Sequence, residues 1–327
     1  MSTNSEDHIV IDSATREYLL SVAIDIKIDP YHDVEEFLVT ANLVFHNLPQ
    51  DIRKKIIEFQ RFGNQTGGIL IQGLPIDPIL PPTPLKLTDK FLKNTFVSEF
   101  CAAVFSTPLG EIFSYAQEKE GFLFQDIFPT PTNRSNISSE SSDILLDFHT
   151  EVAFHPYLPD HIILYCLRQD YMAEAQAIIA SIRNIYPLLS KSEIDLLKKP
   201  IFETGIDYSF GNLHTNKGGG PIVSIISGTE KDPLICFDPD LMTCKLLEGM
   251  ELIGKLNSLA HQMSTSTILT PGDLFIIDNK RSIHGRSSFR ARFDGNDRWL
   301  QRVITKRDLS ITSQVRQFGS RVINLEF

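Results

Sequence analysis

Leu145-Leu146-Asp147-Phe148-His149-Thr150-Glu151 is a short, mostly apolar run that ends in His-x-Glu. Side chains alternate between the two faces of an extended strand, so residues 149 and 151 are predicted to project to the same side. An imidazole and a carboxylate placed in this way can share one metal ion. Two imidazoles and one carboxylate on one side of a metal form a facial set that suits Fe(II), with three positions left open. The third ligand must come from elsewhere in the chain.

On both sides of this run the apolar pattern has strand length. Residues 67–75 (GGILIQGLP) read as a buried strand closed by a Gly/Pro turn, followed by the loop LPPTP ending at Pro84. Further strands are expected at 122–128, 144–148, 162–167, 222–226, 234–237, 266–269, 274–277 and 299–305, with helices at 13–63, 91–105, 111–118, 173–197 and 245–263. The Ser/Asn-rich stretch 133–142 reads as a mobile loop. Many short strands with peripheral helices predict a mainly β fold with flanking helices. The expected core is a double-stranded β-helix, jelly-roll and cupin-like, with a helical buttress. One domain is expected over 1–327, its helical part at about 13–63 and its barrel at about 67–307.

Composition sets the outer limits. Of 327 residues, 42% are hydrophobic and 22% charged, enough apolar material for a sizeable core. The net charge of -10, with Lys and Arg scattered singly, argues against a nucleic-acid or anionic-membrane partner. It favours solubility and, more weakly, a cationic small molecule. Cys101, Cys166, Cys236 and Cys244 form no close pair, as expected for reduced thiols. The start, MSTNSEDHIVIDS, lacks the basic and apolar regions of a signal peptide, and no run approaches membrane-spanning length, so a cytoplasmic protein is expected.

Among the nine histidines, His284 is the best third ligand. It follows the strand and turn Pro271-Gly272-Asp273-Leu274-Phe275-Ile276-Ile277-Asp278-Asn279, and a barrel can bring it opposite His149. A lone histidine is more often structural, but Arg298 adds weight. It comes 14 residues after His284 (298 minus 284), near a strand start, where a guanidinium can grip an oxoacid carboxylate bidentately. His155 and His161 are close in sequence to the metal motif, but their spacing suits no further ligand, so both read as structural.

With these residues in view, the sequence resembles the clavaminate synthase-like branch of the Fe(II)/2-oxoglutarate oxygenases, nearest to the hydroxylases of free L-lysine and L-arginine. The matching text is GGILIQGLP with LPPTP, FQDIFP, LDFHTEVAFHPYLPDHIILYCLR, ICFDPDLM and LTPGDLFIIDNKRSIHGRSSFRARFDGNDRWLQR, within residues 67–302. The resemblance implies Fe(II) held by His149, Glu151 and His284, which form the catalytic centre, and 2-oxoglutarate held by Arg298, with O2 as co-reactant. It also implies that Arg302 binds the substrate α-carboxylate, that Gln125 and Ser139 help hold the amino-acid backbone, and that Asp238 and Asp240 face its amino group or side chain. Relatives commonly carry a Thr that contacts the cosubstrate, whereas this chain reads Ala173-Glu174-Ala175-Gln176-Ala177, in what is expected to be the first turn of a helix. Gln176 is the replacement on offer.

The implied reaction is hydroxylation of a free L-amino acid at C3 or C4, with 2-oxoglutarate leaving as succinate and CO2. Lysine is expected first and arginine second, with asparagine or ornithine as alternatives. Retention of Glu151 favours hydroxylation over halogenation, which needs that ligand position vacant. Two aspartates two residues apart on an extended segment point the same way and suit one cationic side chain; the bland alternative is that one of them caps a turn at Pro239. The segment 205–221 (GIDYSFGNLHTNKGGGP), which includes His214, reads equally as a lid or as an ordinary surface loop. A zinc hydrolase using the same three ligands and a non-catalytic jelly-roll binding module are the rival readings. Nothing in the sequence fixes an oligomeric state.

Overall fold

The computed structural model describes residues 7–86, 93–207, 210 and 217–326. Two sheets form its centre. The larger has eight strands in the order His8–Val10, Gly68–Gln72, Leu274–Asp278, His161–Arg168, Trp299–Lys306, Glu111–Tyr115 and Val322–Ile323, with Gln125–Ile127 also paired to Trp299–Lys306. The smaller runs Thr265–Ile268, Gln176–Ser181, Ser282–Arg286 and Leu146–His149.

Strand alternation explains the layers. Ile162, Cys166, Phe275, Ile277, Leu300 and Ile304 of the large sheet meet Ala177 and Ile179 of the small one and Leu269 just beyond its first strand, so these faces enclose the barrel interior. The opposite parity, Ile163, Tyr165, Leu274, Ile276 and Val303, packs under helices through Phe37, Phe45, Phe100 and Phe105. On the small sheet Phe148, Ala180 and Ile283 face outward onto helix Leu247–Met263 through Leu252, Ile253 and Leu256. Phe148 and Ile283 are fully buried, and burial of such a side chain is worth roughly 1.5–3 kcal/mol. A one-residue slip would turn them into the barrel and drive His149 and His284 into the apolar layer. The register that points both histidines inward is therefore fixed by their neighbours.

The N-terminal buttress consists of helices Ser13–Asp25, Val34–His46 and Gln50–Phe62, within the expected range. Asp12 caps the first by accepting from Thr15 N at 2.7 Å, and Ile52, Ile56 and Phe59 give the third its buried stripe. Helix Val97–Ser106 accounts for the described part of the 91–105 expectation; residues 91 and 92 lie outside the described residues.

Two helix expectations are corrected. Residues 111–118 contain the strand Glu111–Tyr115, whose EIFSY text is short, aromatic and β-branched, and which pairs with Trp299–Lys306 and Val322–Ile323. The 173–197 segment opens with the strand Gln176–Ser181, inserted between Thr265–Ile268 and Ser282–Arg286, before the helices Ile182–Ile185 and Lys191–Leu197. Gln176 therefore begins a strand and not a helical turn. Pairing on both edges outweighed the helical reading. No helix among the described residues is long and apolar enough to cross a membrane.

Candidate metal centre and substrate cavity

His149 and His284 are directly opposite one another on adjacent antiparallel strands, with ring centroids 4.4 Å apart. That approach needs Gly285, because a Cβ there would lie 2.5 Å from the Leu146 carbonyl oxygen. His149 Nδ1 is 2.9 Å from the Asp147 carbonyl oxygen, so with Nδ1 donating, the lone pair is on Nε2, on the side of Glu151.

Glu151 is not on the strand, which ends at His149. It sits in the following turn, and the next residue, Val152, has φ +53°, rare for a β-branched side chain. Asn279 holds the turn: its Oδ1 accepts from Glu151 N at 2.8 Å, and its Nδ2 donates to the Glu151 carbonyl at 3.2 Å. Glu151 Oε2 is thereby placed 3.8 Å from His149 Nε2 and 3.4 Å from His284 Nε2. One donor atom from each of the three residues lies within 4.8 Å of the other two. The donor set fits one divalent ion, with two imidazole nitrogens and a carboxylate oxygen on one side. Burial pushes the Glu151 carboxyl up, but Arg302, His149 and His284 outweigh it and hold it well below the usual range.

Arg302 is the hub of the adjoining cavity. Its Nη1 donates to Glu151 Oε1, its Nη2 to Glu118 Oε2 at 2.9 Å, and its Nε to Gln125 Oε1 at 3.0 Å. Of its five N–H groups one, on Nη1, is left over. The Gln125 amide nitrogen is buried with no partner among the described residues, an open donor beside this cluster. Ser139, Asp238 and Asp240 line the same cavity of about 870 Å³, together with Gln125, His149, Glu151 and Arg302.

The segment carrying the two aspartates is not extended. Asp238 Oδ1 accepts from Asp240 N at 3.0 Å and Leu241 N at 3.1 Å, so Asp238 caps a turn at Pro239 and Asp240 is exposed. The expectation of two parallel carboxylates is corrected on that point. Burial still raises the Asp238 carboxyl to about 6, against the pull of His149.

Arg298 is 7% exposed and stands 5.9 Å from the Phe289 ring, and no described residue makes a hydrogen bond or ion pair with its side chain. Burial pushes both His155 and His161 down to about 4. His214, within the 205–221 segment, lies outside the described residues.

Sequence reasoning missed Glu118, Asn279 and Arg286. Glu118 read as the end of a helix; it precedes Lys119 and Glu120, both at positive φ, and no periodic signal marks that turn. Asn279 read only as the end of a strand. Arg286, in His-Gly-Arg, was the legible one of the three, two residues beyond His284 on the same strand.

Residues 58–304 match the model of the taurine catabolism dioxygenase TauD, TfdA family. L-lysine 3-hydroxylase of Catenulispora acidiphila is 33% identical over 98% of this chain and 89% of its own. Clavaminate synthase 2 of Streptomyces clavuligerus is 31% identical over 90% of each chain. The structure of asparagine oxygenase with Fe(II), 2S,3S-3-hydroxyasparagine and succinate superposes with a TM-score of 0.89 at 29% identity, covering 98% of this chain and 99% of that one. With the His-Glu-His cluster at the mouth of a jelly-roll, these likenesses show that the chain belongs to the TauD/TfdA family and is an oxygenase dependent on Fe(II), 2-oxoglutarate and O2.

Proposed function

We propose that the chain, taken whole as one catalytic domain, hydroxylates a free L-amino acid with a cationic side chain, lysine first and arginine second, at C3 or C4. The observation that carries this reading is the cavity itself, which is lined by His149, Glu151 and Arg302 together with Asp238 and Asp240. In this reading His149, Glu151 and His284 hold the iron. Iron bound there with 2-oxoglutarate and O2 supplies the oxidant for an unactivated C–H bond, returning a hydroxyl while 2-oxoglutarate leaves as succinate and CO2.

The chain's own residues bind and aim. Arg298, buried and without a hydrogen-bonding partner among the described residues, takes the distal carboxylate of 2-oxoglutarate. Arg302 offers its remaining N–H, and Gln125 its open amide, to the substrate α-carboxylate. Glu118 is the carboxylate that Arg302 can share or release, so it is placed to receive the α-ammonium. Ser139 borders the amino-acid backbone. Asp238 and Asp240 face the side-chain cation, whose desolvation costs several kcal/mol without an anionic partner. Held in this way, one carbon is presented to the metal and water is excluded. The L-lysine 3-hydroxylase likeness supports lysine. Membership of an oxygenase family leaves the zinc-hydrolase and binding-module readings without support.

The test is O2-dependent succinate formation from 2-oxoglutarate by the Fe(II)-loaded chain with each proteinogenic amino acid and ornithine in turn, products being weighed by mass spectrometry. Lysine should give the fastest turnover and gain one oxygen atom. A preference for asparagine would overturn the cationic substrate and leave the oxygenase in place.

A further inference from the structure

Arg286 ends the strand that carries His284, and it is only 5% exposed. Its guanidinium reaches across to the loop opposite. Nη1 donates to the Ser141 carbonyl, and Nη2 to Ser141 Oγ at 2.9 Å and the Ile144 carbonyl at 3.2 Å. A fourth tie comes from close by, Phe289 N to the Ser142 carbonyl at 2.8 Å. Immediately before Ser141 come Ser138, Ser139 and Glu140, which form part of the cavity wall.

The same side chain also borders Arg298. Both guanidinium carbons lie near the Phe289 ring, Arg286 at 5.0 Å and Arg298 at 5.9 Å. Arg286 Nε is buried and has no hydrogen-bond partner among the described residues. Neither arginine forms an ion pair with a described carboxylate. Asp170, whose charge acts on Arg298, spends its two oxygens on Glu174 N and Ala175 N. Two buried cations around one ring, with no acid between them, are costly unless an anion joins them.

We propose that Arg286 is a positioning residue that couples the 2-oxoglutarate pocket beside Arg298 to the Ser138–Glu140 wall of the amino-acid cavity. This rests on the reading of Arg298 as the cosubstrate anchor. A dicarboxylate at Arg298 relieves the repulsion on Arg286, which then holds Ser141 and Ile144 more firmly and sets the wall against the amino acid. Coupling of this kind is reciprocal: 2-oxoglutarate tightens the amino acid by the same factor as the amino acid tightens 2-oxoglutarate.

The test uses the Fe(II)-loaded chain without O2 and needs no turnover. Calorimetry gives the affinity for lysine with and without 2-oxoglutarate, and hydrogen exchange follows residues 138–144. In the wild type, 2-oxoglutarate should tighten lysine and slow exchange of 138–144, each by about tenfold. Arg286→Lys keeps the charge but loses the forked grip, so both effects should fall to below about twofold. Ser141→Ala, which leaves both arginines intact, should weaken the coupling while leaving 2-oxoglutarate affinity unchanged. If Arg286→Lys loosens 138–144 equally with and without 2-oxoglutarate, or if the wild type shows no coupling, Arg286 is only a tether and the proposal is overturned. Arg298→Gln separates the two ideas: unchanged 2-oxoglutarate affinity there sinks the anchor, whereas a large loss there together with wild-type coupling in Arg286→Lys sinks only the role of Arg286.

Discussion

Arg298 stands just before the strand Trp299–Lys306 and Arg302 four residues on within it, yet their surroundings are opposite. Arg302 is bound to Glu118, Gln125 and Glu151, whereas Arg298 has a phenyl ring nearby and makes no ion pair among the described residues. A buried guanidinium without a counterion is a receptor for an anion that arrives from solution. One already paired to a metal-ligand carboxylate orients that carboxylate and exchanges partners. The two ends of this short stretch thus prepare two kinds of binding, one by leaving a charge unpaired and one by holding several charges in balance.

The largest effect should come from removing what both ends serve. His149→Ala or His284→Ala should abolish succinate formation, with activity down by at least about 1000-fold, while circular dichroism stays that of the wild type. Retained turnover in either variant would remove the ligand assignment. Next, Arg298→Gln should weaken 2-oxoglutarate by about 2–5 kcal/mol and leave the KM for lysine nearly unchanged. Arg302→Gln should show the reverse selectivity, with the lysine KM rising more than the 2-oxoglutarate KM. It should also lower folding stability by about 3 kcal/mol in urea titration, because Glu118 and Glu151 lose their shared cation. Matching kinetic defects in the two variants would erase the distinction between the arginines.

The sequence carried the strand-borne part of the site well, for a physical reason. His149, His284 and Arg302 face inward by strand parity, and their outward neighbours Phe148, Ile283 and Val303 state that parity in plain apolar residues. Glu151 was found by its spacing although it does not sit on the strand, and Asn279, not the alternation, places it. What stayed hidden was set by turns and long-range pairing. Glu118 depends on the positive-φ turn at Lys119 and Glu120, and Asp238 spends an oxygen on its own turn. The strands Glu111–Tyr115 and Gln176–Ser181 read as helix because their partners are far away in sequence, from Thr265–Ile268 to Val322–Ile323.

The smallest expected effect concerns the aspartates that line the cavity and sharpens the comparison by titration. Burial raises the Asp238 carboxyl to about 6, so it is charged at pH 7 and mostly neutral at pH 5. A lysine side chain keeps its proton throughout this range, with an ordinary pKa of about 10.4. Any loss of lysine affinity on acidification that norleucine does not share must therefore come from the protein. With a free carboxyl titrating near 6, the lysine-to-norleucine affinity ratio should fall by at most about tenfold between pH 7 and pH 5. Asp238→Asn should lower the ratio at pH 7 and flatten its pH dependence. Asp240→Asn should lower it less, because Asp240 is exposed and its charge is screened by water. Calorimetric titration of both amino acids at the two pH values, on wild type and variants, reads this directly. A ratio that ignores pH and both substitutions would show that the aspartate wall does not read the side-chain charge, and would leave the two arginines to account for all of the recognition.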